Sequence, residues 1–291
     1  MIAKEVLLVD ERRTVLSVCG LDASTFLQNM LTNDVHEASC GKAVYAFLLS
    51  PRGKILYDFF LYKDSDECFT LDVSSKFLEK LLLDMKKYVL RSNVDIKHEK
   101  AFVILSNEPF NLNDYCNCIG KNKIFNKCRI SHYSKDPRGT QLWFRGIMST
   151  NIEVASSQHE KVFDSYFMNY SRILFQNRIP SFGNGFYSDE FYPHEMGFSD
   201  IGVSYTKGCF IGQEITTRVK FLGNSKKKIV LLNIPSYTSS FDYSGNTERL
   251  SVYYKDKLVG TILEEHKDGL MCLMYDEERY DNTELKICKL L

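Results

Sequence analysis

An α+β protein built on antiparallel sheets, with a small β-barrel at its C-terminal end, is the fold class this sequence predicts. Three observations predict it. The first hundred residues alternate short apolar runs with one amphipathic stretch, 74–90, where Phe77, Leu78, Leu81, Leu82, Met85, Tyr88 and Val89 share one broad helical face. Ser50-Pro51-Arg52-Gly53 joins two of the runs with serine first, proline second and glycine fourth, the preference of a type I turn. After Gly223, five short apolar runs (229–233, 250–254, 258–263, 270–274 and 285–290) are separated by turn residues, a spacing that predicts a small barrel.

Taken in order, 6–9 and 15–18 read as strands around the charged turn Asp10-Glu11-Arg12-Arg13. Gly20-Leu21-Asp22-Ala23-Ser24 supplies capping residues for a short helix over 25–31. Strands follow over 43–49, 54–62 and 68–73, then the helix 74–90 and a strand over 95–105. Residues 106–128 are rich in Asn and Cys, lack clear periodicity, and read as loop and weak strand. A strand over 141–144 and a helix over 163–176 precede the loop-rich region 172–200, and Lys226-Lys227-Lys228 marks a boundary. The expected division is two α+β subdomains within 1–223, in an order that allows interleaving, and a barrel domain over 224–291.

Composition narrows the function. The chain has 291 residues, 44% apolar and 25% charged, the make-up of an ordinary globular protein. Lys+Arg and Asp+Glu both number 37, which argues against direct nucleic-acid binding through a coating basic surface. No apolar run approaches about eighteen residues, so no membrane span is expected. The opening Met1-Ile2-Ala3-Lys4-Glu5-Val6-Leu7-Leu8-Val9-Asp10 carries acids and too short an apolar run for a signal peptide, and it lacks an arginine-rich transit-peptide look. A bacterial cytoplasmic location is the simplest expectation. Cys19, Cys40, Cys68, Cys116, Cys118, Cys128, Cys209, Cys272 and Cys288 form no C-x-x-C pair and are expected to be mostly reduced thiols rather than a disulfide frame. Cys116, Cys118 and Cys128 lack a histidine at ligand spacing, and the six histidines are isolated. G-x-G-x-x-G after a strand, G-x-x-x-x-G-K-S/T, H-E-x-x-H and G-x-S-x-G are all absent.

The densest chemistry lies between Tyr205 and Arg218. Ile211, Ile215 and Val219 are spaced by four, which predicts a helix. Cys209 would then sit at its start, where unpaired N–H groups and the dipole favour a thiolate, with Lys207 adding positive charge beside it. Such a cysteine is more nucleophilic and a better metal ligand than a free one. Gly208 and Gly212 permit close backbone approach. A loop cysteine ahead of an ordinary amphipathic helix fits the same spacing.

Lys207-Gly208-Cys209-Phe210-Ile211-Gly212-Gln213-Glu214 resembles the K-G-C-Y/F-x-G-Q-E signature of the YgfZ family, folate-binding relatives of the glycine-cleavage T-protein. Mitochondrial members of that family act in late iron–sulfur cluster assembly. The likeness continues through Arg218 and Phe221-Leu222-Gly223. It also takes in Asp22-Ala23 with Phe26-Leu27-Gln28, Thr32-Asn33-Asp34-Val35, the Ser50–Gly53 turn, 88–94 and Val259-Gly260-Thr261-Ile262. The resemblance implies a T-protein-like fold, two α+β subdomains around a central pocket plus a small C-terminal β-barrel. It further implies a bound tetrahydrofolate or derivative and a role in assembly, maturation or repair of iron–sulfur proteins. Pro193-His194-Glu195 matches a P-x-E whose carboxylate reads the pterin in the T-protein relatives. A carboxylate suits that two-donor edge. Arg218 is implied as a nearby cation for the folate.

Cys209 is implied as a reactive or cluster-ligating thiol. A 2Fe–2S cluster takes four protein ligands, most often thiolates, and no cysteine lies within about forty residues of Cys209 on either side. The remaining ligands would come from a partner: an A-type iron–sulfur carrier protein, with iron–sulfur client enzymes downstream. A transient mixed disulfide is the other use of such a thiol. The alternative activity is a folate-dependent aminomethyltransferase. T-protein enzymes carry an aspartate after an N-A strand, and Thr70-Leu71-Asp72-Val73-Ser74 has no N-A, so turnover of that kind is not expected.

Overall fold

The computed structural model describes residues 7–110, 116–121, 123–149, 152–155, 160–223, 227–233, 249–275 and 285–289. The opening residues as far as Val6, Lys226, Leu290, and 111–115 and 122 of the irregular stretch lie outside them. The chain begins with β1 (Leu7–Val9) and β2 (Arg13–Cys19), then α1 (Ala23–Met30), β3 (Val44–Leu49), β4 (Ile55–Ser65), β5 (Cys68–Ser74), α2 (Leu78–Val89) and β6 (Asp95–His98). β7 (Phe102–Ser106), β8 (Cys116–Ile119), β9 (Lys123–Lys135), β10 (Phe144–Ser149), β11 (Ile152–Ala155), α3 (Glu160–Gln176) and α4 (Gln213–Leu222) follow. The described C-terminal strands are β12 (Lys227–Leu232), β13 (Leu250–Tyr254), β14 (Lys257–His266), β15 (Gly269–Tyr275) and β16 (Leu285–Lys289).

These strands form three sheets. The first has the order β3-β4-β5-β2-β6 and is antiparallel throughout. The second runs β10-β7-β1-β8-β9-β11, and β9 also pairs with β10, which brings the sheet back on itself. The third runs β12-β15-β14-β13-β16. Where a small C-terminal barrel was expected, the described residues show a five-stranded sheet, in which β12 and β16 are not paired with each other. The α+β expectation stands, with sheets dominating and few helices.

The core explains why β4 and β3 read as nearly unbroken apolar runs. Phe59, Phe60, Leu61 and Tyr62 are each at most 1% exposed, and every residue of β3 is buried, so both faces of these strands are covered. α1 packs Phe26, Leu27 and Met30 into the same core, as do α3 with Tyr170 and Leu174, and the loops with Phe186, Phe198 and Phe210. Fully burying such side chains contributes about 1.5–3 kcal/mol each.

The structure departs from the sequence expectation at several points. The strand over 95–105 is two strands in different sheets, because the chain turns at Glu99, whose N–H donates to Val15 O (2.9 Å), before β7 joins β1. The helix expected from 74 begins at Leu78: Ser74 extends the ladder opposite Arg13, and the Ser75 N–H donates to Arg12 O (2.9 Å). Residues 123–135, half of them expected to be loop, form the long β9. Cys19 and Cys68, opposite each other in the β2–β5 ladder, are joined in a disulfide, which corrects the reading of both as reduced. Antiparallel register brings them together across a separation of 49 residues.

The chain passes between the first and second sheets twice, from β1 to β2 and from β6 to β7. At the first crossing sits a buried charge cluster. Arg13 Nη1 donates to Asp58 Oδ1 (2.6 Å) and Nε to Asp72 Oδ1 (2.6 Å). Arg145 donates to the other Asp72 oxygen and lies 3.8 Å from Asp10 and 3.7 Å from Asp136. Arg138 Nη2 donates to Asp136 Oδ2 (2.8 Å) and to Tyr170 Oη (3.1 Å). Burial alone would raise the Asp10 carboxyl, but Arg12, with Arg145 and Arg13 behind it, brings it down to about 2.

Candidate functional site

The K-G-C stretch is a loop seated on the Ser50–Gly53 turn. A Cβ added at Gly212 would lie 2.6 Å from Ser50 O, and one at Gly53 would lie 3.2 Å from Ile215 Cβ. Both glycines have positive φ, 78° and 80°, a conformation that also favours glycine. Gly212 is the N-cap of α4, so the helix starts at Gln213. Cys209 therefore stands in the loop ahead of the helix rather than in its first turn, and it is exposed.

Lys207 is not beside the thiol. Its side chain turns inward, where Nζ donates to the carbonyls of Gln28 (2.5 Å), Leu31 (2.6 Å) and Asn33 (3.0 Å). Burial lowers it to about 8, against the pull of Asp34. The two structural reasons offered for an activated Cys209, the helix start and the neighbouring cation, are both absent. Its exposure, on a loop fixed at both ends by Lys207 and by the buried Phe210, remains.

Segments far apart in the sequence meet at this loop. Thr32 Oγ1 donates to Gly202 O (2.6 Å) and accepts from Phe47 N (2.8 Å), while Asn33 Nδ2 donates to Tyr45 O (2.9 Å) and Ile201 O (3.0 Å). Beside it lies an open hollow of about 950 Å³, lined by Phe26, Asn29 and Met30 of α1, by Tyr88 in the last turn of α2 with Leu90 and Arg91 just after it, and by Ile211. Leu90 is 86% exposed at its rim.

A second, inner cavity of about 350 Å³ adjoins the buried charge cluster. Arg12, Arg13, Arg138, Arg145, Lys76, Ser74, Ser75, Tyr170 and 181–184 are among its lining residues. Glu264 of β14 lies half-buried nearby and accepts from Ser181 N (2.6 Å). Burial raises its carboxyl to about 7 despite that N–H and the more distant Arg12, Arg138 and Arg249. Sequence reading missed this cavity. Its signals were Asp58 and Asp72, single acids inside apolar strands, and the pair Arg12-Arg13 of the charged turn.

Glu195 and Arg218 line neither cavity. Glu195 Oε1 accepts from Lys227 Nζ (2.9 Å) and Oε2 from Tyr192 N (3.1 Å), so its carboxylate closes its own loop onto β12. Arg218 is exposed on α4, as is Glu214, while Gln213 is half-buried at the helix start. Gly208 is exposed and a Cβ there would meet nothing within 4 Å. Among the described residues no group of three or more His, Cys, Asp or Glu could hold a metal ion, and no helix is long and apolar enough to cross a membrane.

The fold is that of the glycine-cleavage aminomethyltransferases. The chain superposes on the crystal structure of glycine cleavage system aminomethyltransferase T from Bartonella henselae with a TM-score of 0.62, covering 97% of this chain and 81% of that one, at 13% identity. Residues 3–105 match the family model of the GCVT N-terminal domain. Among curated proteins, the chain is similar to iron–sulfur cluster assembly factor IBA57 homologs, named as mitochondrial. It is 27% identical to that of Mycosarcoma maydis over 235 residues (76% of this chain, 55% of the relative). It is 24% identical to that of Neurospora crassa over 229 residues (75% and 51%) and to that of Dictyostelium discoideum over 250 residues (75% and 60%). The matches span about half to three fifths of those relatives' length.

Proposed function

We propose that this protein acts in the assembly, maturation or repair of iron–sulfur proteins as a YgfZ-type factor. In this reading Cys209 shares a 2Fe–2S cluster with an A-type iron–sulfur carrier on the way to client enzymes. The carrying observation is the position of Cys209: exposed, on a pinned loop, and away from any group of potential ligands among the described residues. A thiol so placed can supply one ligand of four, and the rest must arrive with a partner. The similarity to IBA57 homologs supports the same reading. Cytoplasmic residence is part of the proposal. Anaerobic reconstitution of the protein with a carrier is expected to give a mixed complex with a 2Fe–2S absorption spectrum. Cys209→Ser is expected to lose the complex while keeping its fold; a complex formed equally well by the serine variant refutes the role of Cys209.

A tetrahydrofolate-type ligand belongs to the proposal through the inner cavity, whose volume is in the range of small-molecule sites. Arginine donors, serine hydroxyls and an Arg145 Nε without a hydrogen-bond partner suit a ligand rich in acceptor oxygens and carrying carboxylates. Arg12 and Lys76 would hold its acidic end. Because Glu195 lies elsewhere, calorimetry with tetrahydrofolate is expected to give equal affinity for the native protein and Glu195→Gln. A marked loss in that variant would move the site to Glu195. The aminomethyltransferase reading gains nothing from the geometry, since Asp72 is held by Arg13 and Arg145 and has no free oxygen for a catalytic task.

A further inference from the structure

An ammonium carries three N–H groups, and in Lys207 all three have acceptors. The acceptors come from one short run, the last turn of α1 and the residues just after it. Carbonyls at a helix C-terminus have no intrahelical partner, and a cation there satisfies them while complementing the dipole. Elsewhere the loop is held lightly: Lys207 N donates to Ser204 Oγ at 3.3 Å, and Gly208 and Cys209 are exposed. Phe210, over whose ring the ammonium lies at 5.5 Å, is the next buried residue.

We infer that Lys207 is a positioning residue, a three-point tether that fixes the Cys209 loop to the end of α1 and sets the direction in which the thiol is presented. The inference rests on the proposed role of Cys209 for its purpose, although the tether is testable without iron. Three acceptors converging on one nitrogen suit the compact, rotatable donors of an ammonium and do not suit the planar fork of a guanidinium. α1 also lines one side of the outer hollow and Ile211 the other, so the same tether holds those two walls together. Keeping a lysine charged in this place has a desolvation cost, which all three carbonyls offset.

The test uses the full chain with Lys207→Ala and Lys207→Arg. Two readouts are followed: hydrogen exchange of amides 208–212, and the alkylation rate of Cys209 by iodoacetamide, resolved from exposed Cys40 by peptide mass spectrometry. Lys207→Ala is expected to speed loop exchange at least tenfold and to change the Cys209 rate several-fold, with the overall circular dichroism retained. Propylammonium, the portion removed, is expected to restore both rates, whereas propanol and the arginine variant do not. Native-like rates in Lys207→Ala, or rescue by propanol as good as by propylammonium, overturn the inference. If the alanine variant does not fold, Lys207→Met takes its place. Failure of both to fold in propylammonium makes Lys207 a general core residue and also overturns the inference. None of these readouts involves a cluster. Should the iron–sulfur reading be wrong, the reconstitution experiment fails while the tether results stand.

Discussion

Replacing Arg145 with methionine is expected to lower stability by about 3–5 kcal/mol at neutral pH, the cost typical of removing one partner from a buried ion cluster. Arg145 is 2% exposed, donates to Asp72, lies within 4 Å of Asp10 and Asp136, and stacks over Phe60 with its guanidinium 3.9 Å from the ring centroid. Methionine fills much of the volume, so the loss measures three buried carboxylates left short of their shared cation, each keeping one other arginine, rather than a cavity. Urea unfolding at pH 7 checks it, and a change below about 1 kcal/mol would show that the acids are compensated by other groups. Asp10 adds a pH signature to the native protein. Its folded value is depressed from 3.8 to about 2, so its contribution is present above its ordinary value and is lost as pH falls through about 2.

The second large effect concerns Glu264 and has the opposite sign. Its carboxyl is raised from 4.5 to about 7, so the folded protein holds a proton there that the unfolded chain releases. Between those values stability falls as pH rises, and above about 7 the full cost of the half-buried carboxylate applies, on the order of 3 kcal/mol. Glu264→Gln keeps an oxygen to accept from Ser181 N and removes the titration. The variant is expected to exceed the native protein by about 2–3 kcal/mol at pH 8 and to have no such advantage at pH 4. Urea midpoints across that range check it. An advantage independent of pH would show that the carboxyl does not titrate between 4.5 and 7.

Much of the first sheet was legible because its signals are local. The Ser50–Gly53 turn, the short apolar runs of β3, β4 and β5 and the broad face of α2 each depend on residues close together in the chain. The motif positions were legible as a group, and Gly53 and Gly212 do touch. What sequence could not give was direction. Lys207 stands two residues from Cys209 in any conformation, yet whether its ammonium faces the thiol or α1 depends on the loop path that Gly212 sets. The same holds for Glu195, whose tripeptide fits a motif while its carboxylate binds Lys227. The inner cavity draws Arg12, Arg13, Arg138 and Arg145 from positions too far apart for any periodicity to join them. The split of 95–105 was invisible because no glycine or proline marks it: only Glu99-Lys100-Ala101 stands between the end of β6 and the start of β7.

The two crossings between sheets bear on how the chain is made. β1 is the first described strand to leave the ribosome, yet its partners are β7, which begins at Phe102, and β8, which begins at Cys116. For the synthesis of about a hundred residues, Leu7, Leu8 and Val9 have no ladder to join while the first sheet assembles beside them. The stretch 3–105 contains every strand of that first sheet but, of the second, only β1 and β7 without its last residue, Ser106, the partner of Leu7. The length over which this chain matches a family model is thus not a length that could finish folding when released alone. Its leading strand is an apolar edge exposed until the second sheet is complete, the kind of surface on which nascent chains recruit chaperones.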